Sequence, residues 1–172
     1  MQTRTSSAPP VRGGLPGRLA GALRAVQGRP AFESRGGMFA AAVVLRLAGA
    51  VLLGWIGYVH WYLWHLGYKD IPTDGPFFLV DAIAAVLLAV LLLAWPRGLA
   101  GLASAGFVAL TIVALVISLS VGLFGFRESI SASYVVESLV LESVAVLILA
   151  VWTVIVSLWV PRSDRAGSEP SP

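Results

Sequence analysis

Four ionisable side chains stand inside or at the edge of long apolar runs: His60, Asp81, Glu137 and Glu142. An ionisable group at the centre of a hydrocarbon layer costs at least about 2.5 kcal/mol, so each needs a partner or a wet cavity. An imidazole among carboxylates can relay protons, bind a divalent cation or hydrogen-bond the polar head of a ligand. The residue types fix none of these three. Glu142 is the residue to single out, because the rise of 1.5 Å per residue puts it near the middle of the last apolar run, on a face shared with Ser131 and Ser138. It reads either as an acid that fixes helix register, protonated or paired with Arg or His, or as a working site. Asp81 reads as a partner for Lys69, as a polar helix start favoured by the helix dipole, or as part of the same site. With Trp64 and Tyr134, these four residues make a candidate ligand or proton pocket. Arg46 is a candidate for a buried ion pair, the other reading being a side chain that snorkels to the headgroups.

Several chemistries are excluded. There are no cysteines, so disulfides, thiolate metal sites and cysteine nucleophiles are absent. His60 and His65 are five residues apart, about 140° round a helix, and cannot be the two axial ligands of one haem within one chain. No HExxH, phosphate-loop, nucleophile-elbow or dinucleotide pattern is present. The expectation is no catalytic residue set, no metal and no cofactor.

The elements that carry these residues follow from composition. Of the 172 residues, 58% are hydrophobic and 12% charged, against roughly 25% charged in soluble domains. Four runs approach or exceed the roughly 20 apolar residues needed to cross a bilayer: about 38–66, 76–95, 99–124 and 132–160. Unsatisfied backbone groups are costly in lipid, so each should be a helix. The short connections make neighbours antiparallel, and the fold class expected is an all-α membrane protein, an antiparallel four-helix bundle. Residues 1–37 form a basic tail. Within it 1–14 should be disordered, and 16–27 reads either as a short amphipathic helix on an anionic leaflet or as flexible chain. Residues 161–172 form a polar tail.

Eleven of the twelve basic residues are arginine, and nine of the twelve fall on one side of a four-span topology: six before the first span, Arg97, Arg162 and Arg165. Basic loops stay inside, so both termini should be cytoplasmic in a multi-pass cell-membrane protein, with the candidate pocket in the outer half. The arginine excess is thereby explained, and no nucleic-acid partner is expected. Ala50, Gly54 and Gly57 on span one, and Ser104, Thr111, Ser118 and Gly122 on span three, read as helix-packing stripes, the other reading being a pore lining.

The segments LRLAGAVLLGWIGYVHWYLWHLGYKDIPTDGPFFLVDAIAAVLLAV and SLSVGLFGFRESISASYVVESLVLE contain His60-x-Tyr62-Leu63-Trp64, Gly67-Tyr68, Ile71-Pro72, Gly75-Pro76 and a Val121-Gly122-Leu123-Phe124-Gly125-Phe126 run. In these features the chain resembles a group of uncharacterised small four-span membrane proteins from actinobacteria. A more distant similarity links it to DoxX-type four-helix membrane proteins, with Arg46 as the main echo. The resemblance implies the topology and no activity. In that group an uncharged residue is usual at the position of Asp81.

Small size, short loops and the lack of a catalytic motif point first to a non-enzymatic accessory or structural component, in the bilayer, within a larger membrane complex or as a homo-oligomer. The alternatives are a small proton-coupled transporter or carrier using the His/carboxylate pocket, and a membrane redox or lipid-modifying enzyme.

Overall fold

The computed structural model of the protein describes residues 36–158. The expected disordered segment 1–14, the amphipathic segment 16–27 and the polar tail 161–172 lie outside the described residues.

Four long helices account for nearly all of it: α1 (Gly36–Leu66), α2 (Asp74–Ala94), α3 (Gly98–Ser120) and α4 (Val135–Leu158), with a 3-10 turn at Tyr68–Asp70. All four are long and apolar enough to cross a membrane. This is an all-α, antiparallel four-helix bundle of a multi-pass membrane protein. Its outward-facing side chains, such as Val51, Val90, Leu110 and Leu147, are apolar and exposed, as lipid as solvent requires.

The helix ends differ from the sequence expectation where local backbone overrides hydropathy. The first helix begins at Gly36, inside the stretch assigned to the tail. The third stops at Ser120, not near Phe124. Gly122 takes φ 90° and Gly125 φ 88°, so the chain leaves the helix there, and Leu123 and Phe126 exchange backbone hydrogen bonds of 2.7 and 2.9 Å across a tight reversal. The fourth starts at Val135 because Tyr134 sits at φ 68°, a left-handed conformation costly for a side chain of its size. Apolar residues continue through both places, which is why hydropathy alone ran past them.

Packing depends on close backbone approach. A Cβ on Gly57 of α1 would lie 3.1 Å from the Ala82 carbonyl oxygen and 3.2 Å from Val86 Cγ2 of α2. A Cβ on Gly101 of α3 would lie 2.7 Å from two ring carbons of Trp152 on α4, itself fully buried. The helices are thus gathered as two tight pairs, α1 on α2 and α3 on α4, joined mainly along α1 and α4. The α2/α3 side is the loosest seam of the ring. Of the expected packing stripes, Ala50, Gly57 and Ser104 are buried in the bundle, whereas Gly54 has nothing within 4 Å of a Cβ position. Thr111 and Ser118 are buried too, but they face a cavity and not a neighbouring helix backbone.

Gly101→Leu should therefore lower the thermal midpoint in detergent, by overpacking worth about 1–3 kcal/mol. Gly106→Leu, on the same helix and facing open space, should leave the midpoint unchanged. Equal midpoints for the two variants would show that the α3/α4 crossing does not depend on the glycine.

Candidate functional site

At one end of the bundle lie the 67–73 and 121–134 connections; at the other lies the short Trp95–Arg97 turn. A cavity of about 370 Å³ occupies the first, the loop end. All four helices position its polar groups at a common depth. Asp81 is seven residues into α2 and Glu142 seven residues into α4, so both lie about 10 Å from their helix ends. His60 is six residues from the end of α1, about 9 Å in.

Glu142 is 2% exposed, and its Oε2 is buried without a hydrogen-bond partner. Its neighbour on α3 is the Thr111 hydroxyl. That hydroxyl lies 2.8 Å from the Val108 carbonyl oxygen, to which it donates, and it is also a hydrogen-bonding neighbour of the Glu142 carboxyl. While its hydrogen stays on Val108, a protonated Glu142 can donate to Thr111 Oγ1. His60 is half-buried, and its Nδ1 lies 2.9 Å from the Ile56 carbonyl oxygen. A carbonyl can only accept, so Nδ1 carries the hydrogen and the neutral ring leaves Nε2 as a free acceptor. The imidazole packs against Phe78 at 5.5 Å between ring centroids and interacts electrostatically with Asp81. Asp81 is in turn within electrostatic reach of Glu142.

A further acid lies nearer the loops. Asp74 is 7% exposed, with Oδ2 buried and unpartnered. Above it, the Tyr68 hydroxyl donates to Glu128 Oε2 at 2.5 Å, and the Ser129 N–H donates to Glu128 Oε1 at 3.0 Å. Burial, then the hydrogen bond to the Glu128 carboxyl, hold the Tyr68 phenol well above its ordinary range, so it remains a donor at any physiological pH. Tyr68 also packs on Phe78 at 4.4 Å and on Phe126 at 6.0 Å, and Phe124 stacks on Phe77 at 5.2 Å. Together these contacts fold the two connections over the cavity. Gly75 permits this, since a Cβ there would fall 2.8 Å from the Tyr68 carbonyl oxygen.

Of the residues expected from sequence, His60, Asp81, Tyr134 and Glu142 line this one cavity, and Trp64 and Glu137 do not. Trp64 packs edge-on against His65 at 4.8 Å, and Glu137 is exposed on the outer face of α4. Glu137 and Glu142 are five residues apart, about 140° round the helix. The same angle separates Glu137 from the cavity and His65 from His60. Asp74 was missed, although it is seven residues before Asp81 and hence only about 20° round the same helix. Glu128 was also missed; it lies in a loop, where no periodicity marks it.

Arg46 is about 21 Å from His60 along α1, toward the other end. Its Nη2 donates to the Leu93 carbonyl oxygen at 2.6 Å, near the C-terminus of α2, and its Nε is buried without a partner. It thus meets backbone and not an acid of the cavity. Among the described residues no group of three His, Cys, Asp or Glu converges tightly enough to hold a metal ion. No protein family, no curated protein and no solved structure matches the chain.

A carboxyl kept for stability would have both oxygens satisfied, and Oε2 of Glu142 is not. Replacing Glu142 by Met, similar in volume, removes a buried unpartnered oxygen while Thr111 keeps its bond to Val108. The expected outcome is a higher thermal midpoint, by about 1–3 kcal/mol of relieved desolvation. A lowered midpoint would mean that the carboxyl holds the helices together.

Proposed function

We propose that the protein is a small proton-coupled carrier in which Glu142, Asp81 and His60 exchange protons with the loop-end cavity. The observation that carries this reading is the buried, unpartnered Oε2 of Glu142, on a residue nearly fully buried yet lining a cavity that Asp81 and His60 also line. A protein kept only as a structural spacer has no use for such a group, which costs stability without a partner. A proton or a ligand that arrives and departs supplies the missing partner part of the time. The skewed arginine distribution supports an orientation with the loop end outside the cell membrane and both termini in the cytoplasm.

Proton movement would run between a small number of groups. With Nδ1 committed to Ile56, His60 can take a proton only at Nε2, and the ring interacts electrostatically with Asp81. Glu142 can hold a proton against Thr111 Oγ1 and release it when a better partner enters. Tyr68, hydrogen-bonded to Glu128, holds the connections above without itself giving up a proton, because the phenol stays protonated.

The test is proton uptake into vesicles. Purified protein is reconstituted into liposomes enclosing a pH-sensitive dye, with a potassium gradient and valinomycin to set the potential. An acid pulse outside should acidify the lumen faster than in empty liposomes, and Glu142→Gln should return the rate to that of empty liposomes. Wild-type vesicles that acidify no faster than empty ones would overturn the reading.

A further inference from the structure

The shape of the cavity narrows the class of molecule it takes. Its opening is lateral. Phe77 on α2 and Leu110 and Val113 on α3 line the cavity and are at the same time about half exposed on the lipid-facing surface. They stand on either side of the loosest seam of the bundle. A ligand can therefore enter from the hydrocarbon layer, between α2 and α3, beneath the folded connections.

The inner wall is different. Asp81 and Glu142 lie there, and among the described residues no Lys or Arg lines the cavity. The polar atoms on this wall are the carboxyls of Asp81 and Glu142, Nε2 of His60 and the hydroxyls of Thr111, Ser118 and Ser138. A neutral apolar guest would leave them unpartnered, and an anionic guest would be repelled. The carboxyls are too dispersed for a metal ion, since among the described residues no three such groups converge. A large cation is favoured, with its charge spread over an apolar body. The aromatic faces of Phe77, Phe78 and Phe107 add to this, because aryl rings attract cations in a desolvated site. A volume of about 370 Å³ is within the range that holds a drug-sized molecule.

We propose that the cavity binds lipophilic organic cations, which enter from the membrane through the α2/α3 seam and sit against Asp81 and Glu142. The proposal deepens the carrier reading and rests on the same site; the cation would be the partner that displaces the protons.

Binding, not transport, tests it. Tetraphenylphosphonium and tetraphenylborate have nearly the same size and shape and opposite charge. Their equilibrium binding is measured on the full chain in phosphatidylcholine nanodiscs, with empty discs subtracted. The expected result is saturable binding of the phosphonium at one site per chain, at least tenfold tighter than any saturable binding of the borate. Asp81→Asn and Glu142→Gln should each weaken the phosphonium at least tenfold, and Glu137→Gln, off the cavity, should leave it unchanged. Leu110→Trp, a lipid-facing change at the seam that leaves every acid in place, should slow phosphonium association at least fivefold. Equal binding of the two ions, no saturable binding, or phosphonium binding insensitive to both acid substitutions would overturn the proposal. Glu142-dependent proton uptake without phosphonium binding would overturn it while leaving the carrier reading standing. Phosphonium binding without that uptake would do the reverse.

Discussion

Inside a bilayer, apolar side chains gain nothing by leaving the solvent, so helices are held by how closely their backbones can approach. Most other features of this bundle follow from where that approach is possible. Gly57 lets α1 meet the backbone of α2, and Gly101 lets α3 meet the ring of Trp152 on α4. Among the described residues no glycine gives α2 and α3 a comparable approach. Phe77, Phe78, Phe107 and Leu110 of these two helices line the cavity instead. The cavity is the space that results. It is a consequence of asymmetric packing, with two tight pairs and one loose seam, and needs no separate structural device.

The polar residues occupy that space because they have nowhere else to go. On the lipid face a carboxyl would meet hydrocarbon, and at the tight crossings there is no room for one. Asp74, Asp81 and Glu142 line the cavity instead, Asp74 and Asp81 on one face of α2 and Glu142 opposite them on α4. The loops then close over this end of the cavity. Tyr68 is fixed by Phe78 on one side, Phe126 on another and Glu128 at its hydroxyl. The left-handed backbone at Phe124 and Tyr134 turns the 121–134 segment back over α3, where the Glu128 N–H donates to the Ser118 carbonyl at 3.3 Å. Strain in these two residues is held by the packing around them.

The fold was legible in the sequence because it depends on a property that survives ignorance of the neighbours. A run of some twenty apolar residues in lipid must be a helix, whatever it packs against. The site was legible only in part. Glu142 and Asp81 were visible as ionisable groups inside apolar runs, and helical angle alone would have moved Glu137 off the site and brought Asp74 onto it. Trp64 is another matter: at 40° from His60 it should share the face, yet it packs against His65, one turn nearer the loops. Thr111 and Ser118 looked like packing residues because small polar residues serve both purposes, and what decides between them is whether the opposite helix arrives. Glu128 could not have been placed at all. Its position depends on two positive-φ glycines and a reversed loop, and only the folded chain brings it to Tyr68.

The balance of hydrogen-bond donors and acceptors limits what such a cavity can serve. Thr111, Ser104 and Thr153 each give their hydroxyl hydrogen to a carbonyl on their own helix. His60 does the same with Nδ1, and Tyr68 gives its hydrogen to Glu128. Those donors are spent locally, and the groups left facing the cavity include Nε2 of His60 and the carboxyls of Asp74, Asp81 and Glu142, alongside the hydroxyls of Ser118 and Ser138. A wall with several acids and, among the described residues, no lining Lys or Arg is incomplete by itself. It can be completed by protons, which make donors of Glu142 and Asp81, or by a cation, which needs none. These two occupants compete for the same oxygens, so whichever enters favours the release of the other. Exchange of this kind needs no moving domain and no cofactor, only a polar wall that cannot satisfy itself and a seam through which the second occupant can come and go.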